Sequence, residues 1–279
     1  MRILLTLIGI AAFFASGAQT SWKGTSSSSW SNSLNWTNGV PNSTKAAVLG
    51  DDAFSGPYQP AISSRATCAG LTIGERRATT LSISKNLSVL GSVQIYAGSG
   101  IASAKSTISL TGNWTNNGTY SYSNNNATVI FAGTAQAIGG GASTTFRKLT
   151  VNASSVLTVN TNTTVINFFS VSGTVVPAAT VAISGSPTVG ATGTLKVTGA
   201  SFGTHYTANN VSLAGGSTVE YTSAGAQTVL AGLSYSTLRI TGSGTRTLTA
   251  NASGLNAGST AWGNVSVEGG TLDLQTFTL

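Results

Sequence analysis

Six carboxylates, one histidine and one cysteine are the groups on which acid/base, nucleophilic or metal chemistry would have to rest in this 279-residue chain. The carboxylates are Asp51, Asp52, Glu75, Glu220, Glu268 and Asp273. Glycoside hydrolysis needs two carboxyl groups facing each other across a substrate, and lyase chemistry needs acidic calcium ligands beside a cationic base. Asp51 and Asp52 are adjacent and would point to opposite faces of a strand. Glu268 and Asp273 flank Gly269-Gly270, but the Gly-Gly-x-Gly-x-Asp spacing of calcium-binding nonapeptide repeats is missing. Each carboxylate is therefore expected to be surface charge.

His205 stands in Gly203-Thr204-His205-Tyr206, without the further ligands that a zinc site requires. Gly232-Leu233-Ser234-Tyr235-Ser236 lacks the closing glycine of a nucleophile elbow. Cys68 is the only cysteine, so no intramolecular disulfide is possible. Its neighbours Ala66, Thr67 and Ala69 supply no activating base, and it is expected as a small buried hydrophobe. The expectation is a chain with no catalytic residue, no metal site and no cofactor, and with its ligand-binding residues unassigned.

The elements that would position these groups are short strands. Apolar residues alternate with small polar ones at Leu81-x-Ile83, Leu87-x-Val89, Val93-x-Ile95, Ile108-x-Leu110, Leu195-x-Val197, Leu238-x-Ile240 and Leu272-x-Leu274. A period of two puts one set of side chains on one face, and no 3.6-residue period persists. Two stretches share one template about ninety residues apart. Val129-Ile130-Phe131 precedes Gln136, Ile138, Phe146, Leu149 and Val151; Val219-Glu220-Tyr221 precedes Gln227, Val229, Tyr235, Leu238 and Ile240. A half-copy at Leu71-Thr72-Ile73 and Leu81-Ser82-Ile83 answers Leu149-Thr150-Val151 and Leu157-Thr158-Val159.

A β-solenoid or a string of β-sandwich modules fits this pattern. The parallel β-helix is preferred because inward positions are Val, Ile and Leu while outward positions are Thr, Ser and Asn, as stacked coils require. Sandwich cores also carry large aromatics in each unit, whereas most Trp here lies near the N-terminus. Coils of roughly 20 to 25 residues are expected, with Val129 equivalent to Val219 and Leu149 to Leu238.

Arg2, the apolar run from Ile3 to Ala15 and the small residues Ser16-Gly17-Ala18 read as a secretory signal helix over residues 1–18. The run is shorter than the ~20 residues needed to span a bilayer, so membrane contact is expected only through this leader. Residues 19–60 form a Trp-rich segment with Trp22, Trp30 and Trp36, expected to cap the first coil; exposed in a row, the same rings would suit sugar stacking. Residues 61–279 are assigned to the solenoid. Only 7% of residues are charged, against about 25% in ordinary globular domains. The net charge is +7, but the cations stand singly or in pairs such as Arg76-Arg77 and Arg147-Lys148, which argues against nucleic acid as a partner.

Gly112-Asn113-Trp114-Thr115-Asn116-Asn117-Gly118-Thr119, then Ala127 to Gly133 and Ala135-Gln136, resembles large exported repeat proteins of Gram-negative bacteria. The Trp22 to Pro41 segment is similar to the start of such proteins and of autotransporter-like passenger domains. The resemblance implies a secreted or surface, adhesin-like, non-catalytic β-solenoid, of a kind that often ends in a sorting domain for type IX secretion. This chain departs by running its alternation through Gly270-Thr271-Leu272-Asp273-Leu274 to Phe277-Thr278-Leu279 without such a domain. It is accordingly expected to be part of a longer protein and to self-associate end to end. Extracellular polysaccharide and other surface proteins are the expected partners. A polysaccharide-active enzyme or carbohydrate-binding module on the same scaffold is the alternative, and ice binding through Thr rows such as Thr247-Leu248-Thr249 a third.

Overall fold

The computed structural model describes residues 18–249 and 263–276. The leader therefore lies outside the described residues except for Ala18, as do Phe277 and Leu279. The described backbone is an all-β parallel solenoid. Among the described residues the helical turns are Ser33–Asn35 and Phe202–His205, and no helix is long and apolar enough to cross a membrane.

Each coil has three sides. Leu71–Ile73 lies in a twelve-stranded sheet, Thr80–Ile83 in a four-stranded sheet and Leu87–Val89 in a nine-stranded sheet. Val93–Ile95 then returns to the twelve-stranded sheet and pairs in parallel with Leu71–Ile73. Farther on, the second and third sides join into single long strands, Thr144–Val151 and Thr163–Val171, with a register break between Phe146 and Lys148. A three-stranded sheet of Gln227–Val229, Thr245–Leu248 and Thr271–Asp273 forms another side near the C-terminal end.

Alternation becomes facing because successive coils pair in register. In the nine-stranded sheet, Leu87, Ile108, Val129, Leu149 and Phe169 follow one another from coil to coil, and Val89, Leu110, Phe131, Val151 and Val171 form the second inward row. All ten are buried. Cys68 occupies the Val89 position one coil earlier, fully buried, so its size selects it for that row. Burying each Val, Leu, Ile or Phe contributes about 1.5–3 kcal/mol. Long parallel ladders with steps of about 18 to 27 residues are a solenoid's, and the sandwich modules are set aside. At one corner the coils touch backbone to backbone: a Cβ on Gly112 would lie 2.4 Å from Gly91 C, and one on Gly133 would lie 2.0 Å from Thr111 O.

The two template copies are not in phase. Val129 and Val219 both face inward, and each pairs directly with its template partner one coil on, Leu149 and Leu238. Val129, however, belongs to the nine-stranded sheet and Val219 to the twelve-stranded sheet. The template therefore marks a local unit, a strand leading into a corner, used on two different sides of the coil. Uneven coil lengths are the reason: about ninety residues do not make a whole number of turns here.

Replacing Val219 by Asp buries an unpaired charge between Leu195 and Leu238. It should cost about 3 kcal/mol or more, while Thr218→Asp, on the outward position beside it, should cost under about 1 kcal/mol. Urea unfolding of the two variants followed by far-UV circular dichroism measures the difference; equal midpoints would reverse the facing assignment.

Candidate functional site

The largest regular feature offered to solvent is a row of hydroxyls. On the outer face of the nine-stranded sheet, Thr67, Ser88, Ser109, Ile130, Thr150, Ser170, Thr188 and Ser212 stack coil upon coil, broken only at Ile130. The twelve-stranded sheet carries a second row, Thr174, Thr194, Thr218, Thr237 and Asn264. A hydroxyl donates and accepts, so such rows meet water, sugar or peptide without charge.

The carboxylates fall into separate places. Asp51 and Asp52 lie in a turn rather than a strand. Asp51 accepts from the Ser21 hydroxyl and from Ala53 N–H, while Asp52 pairs with Arg76 at 3.5 Å with both side chains exposed. Glu75 is exposed. Glu220 departs from its expected surface position: it is 5% exposed, covered by Lys196 and Arg239 on the coils before and after it. Lys196 Nζ lies 3.4 Å from one Glu220 oxygen, and the Thr241 hydroxyl donates to the other at 2.8 Å. Arg239 also donates twice to Glu268, at 2.8 and 2.6 Å. This fork holds the Glu268 carboxyl below its usual range. Lys196, Glu220, Arg239 and Glu268 form a ladder of alternating sign whose carboxylates are occupied by cations. Asp273 Oδ1 accepts from Gln275 N–H.

His205 is buried with both ring nitrogens engaged. Nε2 faces the N–H groups of Gly199 at 2.7 Å and Thr198 at 3.2 Å, so it accepts. Nδ1 donates to Val181 O at 2.7 Å. The ring is thus a neutral brace between coils, and burial lowers its pKa. Burial also pushes the Cys68 thiol up to about 12. Ser234 is exposed, and the ring nitrogens of His205 are bonded elsewhere. Among the described residues no three His, Cys, Asp or Glu side chains gather as metal ligands.

Buried amides hold the corners. Gln136 Nε2 donates to Leu110 O and Gly112 O, while its Oε1 accepts from Gly133 N–H. Gln227 repeats all three bonds with Val197 O, Gly199 O and Ser223 N–H. Arg246, paired with Gln227 one coil on and fully buried, donates to Tyr221 O, Ser223 O, Gly242 O and Gly244 O. The template's recurring glutamine was visible in the sequence; its task as an inter-coil clamp was not, because the carbonyls it serves come from the preceding coil.

The three tryptophans of the N-terminal segment offer no ring face to solvent. Trp22, Trp30 and Trp36 are all buried, with Trp36 edge-on to Trp22 at 5.1 Å and to Trp30 at 4.8 Å. Trp22 Nε1 donates to Tyr58 O, and Trp36 Nε1 to Trp30 O. Sugar stacking on these rings is closed off by that packing. The same segment also supplies Ala18–Ser21 and Lys45–Leu49 as the first pair of the twelve-stranded sheet. A groove of about 350 Å³ opens instead on the four-stranded sheet, lined by Ser from each of its coils, by Ala or Ile from the first three and by Tyr122 from the fourth.

No protein-family model, curated protein or solved structure matches this chain.

The His205 geometry fixes a pH dependence. The folded pKa lies below the unfolded value of about 6.5, so on acidification the unfolded chain takes up a proton first. The brace contributes in full above about 6.5 and is lost as pH falls toward the lowered folded pKa, at up to roughly 1.4 kcal/mol per pH unit. Thermal unfolding between pH 7.5 and 5 should show this slope in the wild type and a flatter profile in His205→Gln; parallel profiles would refute the neutral brace.

Proposed function

We propose that this protein is a non-catalytic structural or adhesive solenoid, exported to the cell surface or beyond, that meets its surroundings through flat polar faces. The observation that carries this reading is the axial hydroxyl row from Thr67 to Ser212 on the nine-stranded sheet. Such a face presents many weak, equivalent hydrogen-bonding positions at the coil spacing, which suits contact with an extended matrix better than capture of one small molecule. The carboxylates support the same reading, since hydrolysis requires two of them facing one substrate: Glu220 and Glu268, which share Arg239, are occupied by cations, and Glu75 and Asp273 stand apart from them. The buried Trp22, Trp30 and Trp36 cluster acts as an N-terminal cap, covering apolar cross-section that the first coil would otherwise leave open. The apolar leader of residues 1–18 supplies the export signal.

Purified protein should release no reducing ends from pectin, alginate, xylan or peptidoglycan, with or without calcium. Release that disappears on changing Asp51, Asp52, Glu268 or Asp273 to Ala would replace this reading with the enzymatic one. Export is tested separately: residues 1–18 placed ahead of an alkaline phosphatase lacking its own leader should give activity outside the cytoplasm, and a cytoplasmic, inactive fusion would remove the export part.

A further inference from the structure

The solenoid gathers cations that the sequence disperses. The corner between the four-stranded and nine-stranded sheets is crossed once per coil. Ala66, Leu87, Ile108, Val129 and Leu149, the inward residues just past that corner, are in register from coil to coil. Arg65 and Lys148 immediately precede the first and last of them, while Lys85 and Lys105 stand within the corner on the second and third coils. Arg147 lies at the register break of the long strand that crosses the same corner. Five of the thirteen basic side chains thus fall along one edge.

Arg65, Lys85 and Lys105 are exposed, and Lys148 Nζ donates to Asn126 Oδ1 at 3.0 Å. None of the five is in an ion pair among the described residues. The six carboxylates lie elsewhere: Asp51, Asp52 and Glu75 follow strands of the twelve-stranded sheet, Glu220 and Glu268 belong to that sheet's ladder, and Asp273 is in the three-stranded sheet. These five cations are therefore separated from the carboxylates around the coil.

The Ser/Ala groove runs directly beside this edge. Its outward row, Ala61, Ser82, Ala102 and Ser121, is in register across the four-stranded sheet. Its rim residues Ser84 and Ala104 are the chain neighbours of Lys85 and Lys105. At about 4.8 Å per coil, the groove is about 14 Å long and the basic edge about 19 Å. Small side chains let a chain of sugar rings approach the backbone, serine hydroxyls meet sugar hydroxyls, and ammonium and guanidinium groups on four of the five coils meet carboxylates, the coil of Val129 carrying Asn124, Asn125 and Asn126 at the corner instead.

We infer that this edge and groove bind a linear acidic polysaccharide of the polyuronate type, laid along the solenoid axis with its carboxylates toward Arg65, Lys85, Lys105 and Lys148. The groove lacks the succession of aromatic platforms on which single-stranded nucleic acid stacks, and a single line of cations matches one charged strand rather than the two phosphate rows of a duplex. The inference deepens the contact-surface reading by naming the partner's chemistry and its place.

Affinity electrophoresis of the full chain in gels containing polygalacturonate, neutral dextran or duplex DNA at low salt tests it. Polygalacturonate should retard the protein, dextran should not, and retardation should fall as salt rises. Lys85→Gln with Lys105→Gln should weaken binding at least about fivefold, whereas Lys23→Gln with Arg76→Gln, which removes the same charge elsewhere, should change it less than about twofold. Circular dichroism spectra matching the wild type establish that each variant is folded. Equal losses in both pairs, no retardation of the wild type, or tighter binding to DNA would each overturn the inference. Shortening of the bound polymer would instead overturn the non-catalytic reading while leaving this edge as the binding place, so the two fail separately.

Discussion

In-register stacking of coil on coil is the constraint on which everything else here rests. Each strand gives and receives its backbone hydrogen bonds from the equivalent strand one turn away, so any residue stands above and below residues of the same position. Inward positions become apolar columns, and outward positions become the Thr and Ser rows. The rule tolerates chemistry that closes locally. Lys196, Glu220 and Arg239 alternate in sign on successive rungs, where like charges would repel, Glu268 reaches Arg239 from just past the next strand, and the opposite neighbours are what make a nearly covered Glu220 tenable.

Stacking also exposes a problem that hydrophobic columns cannot solve. Where the chain turns between sides, backbone carbonyls point along the axis without a strand to receive them. Gln136 and Gln227 answer this with the same three bonds on different sides of the coil, and Arg246 answers with four carbonyl contacts and no carboxylate at all. Burial lowers the pKa of Arg246, opposing its charge, while the carbonyl dipoles around it favour that charge. His205 performs the corresponding task with a neutral ring at the helical turn Phe202–His205.

Much of the architecture was legible in the residues. A strict period of two, β-branched and leucine inward positions and hydroxyl outward positions carried the strands, their facing and the choice of solenoid over sandwich. Phase was not legible. Val129 and Val219 look like successive copies of one module, yet they lie in different sheets, because a corner template does not encode how many residues separate it from the next corner. The basic edge was hidden for the same reason: Arg65, Lys85, Lys105 and Lys148 come to one corner only once coil lengths are known, and distances along the chain alone show isolated cations. Glu220 was read as surface charge because nothing near it in sequence reveals that Lys196 and Arg239 will cover it.

The direction of the ladder bonds has a mechanical consequence. Because they run along the solenoid axis, tension applied end to end loads the coil interfaces in series, and the weakest one gives first. Tension applied across the coil, along the strands, loads every bond of an interface together in shear. The short pairing of Thr188 and Val189 with Ser212 and Leu213 offers far fewer bonds than that of Thr144–Val151 with Thr163–Val171. On the nine-stranded side the axial bonding therefore thins toward Leu213, and a molecule pulled from both ends would open interface by interface, as an extensible tether.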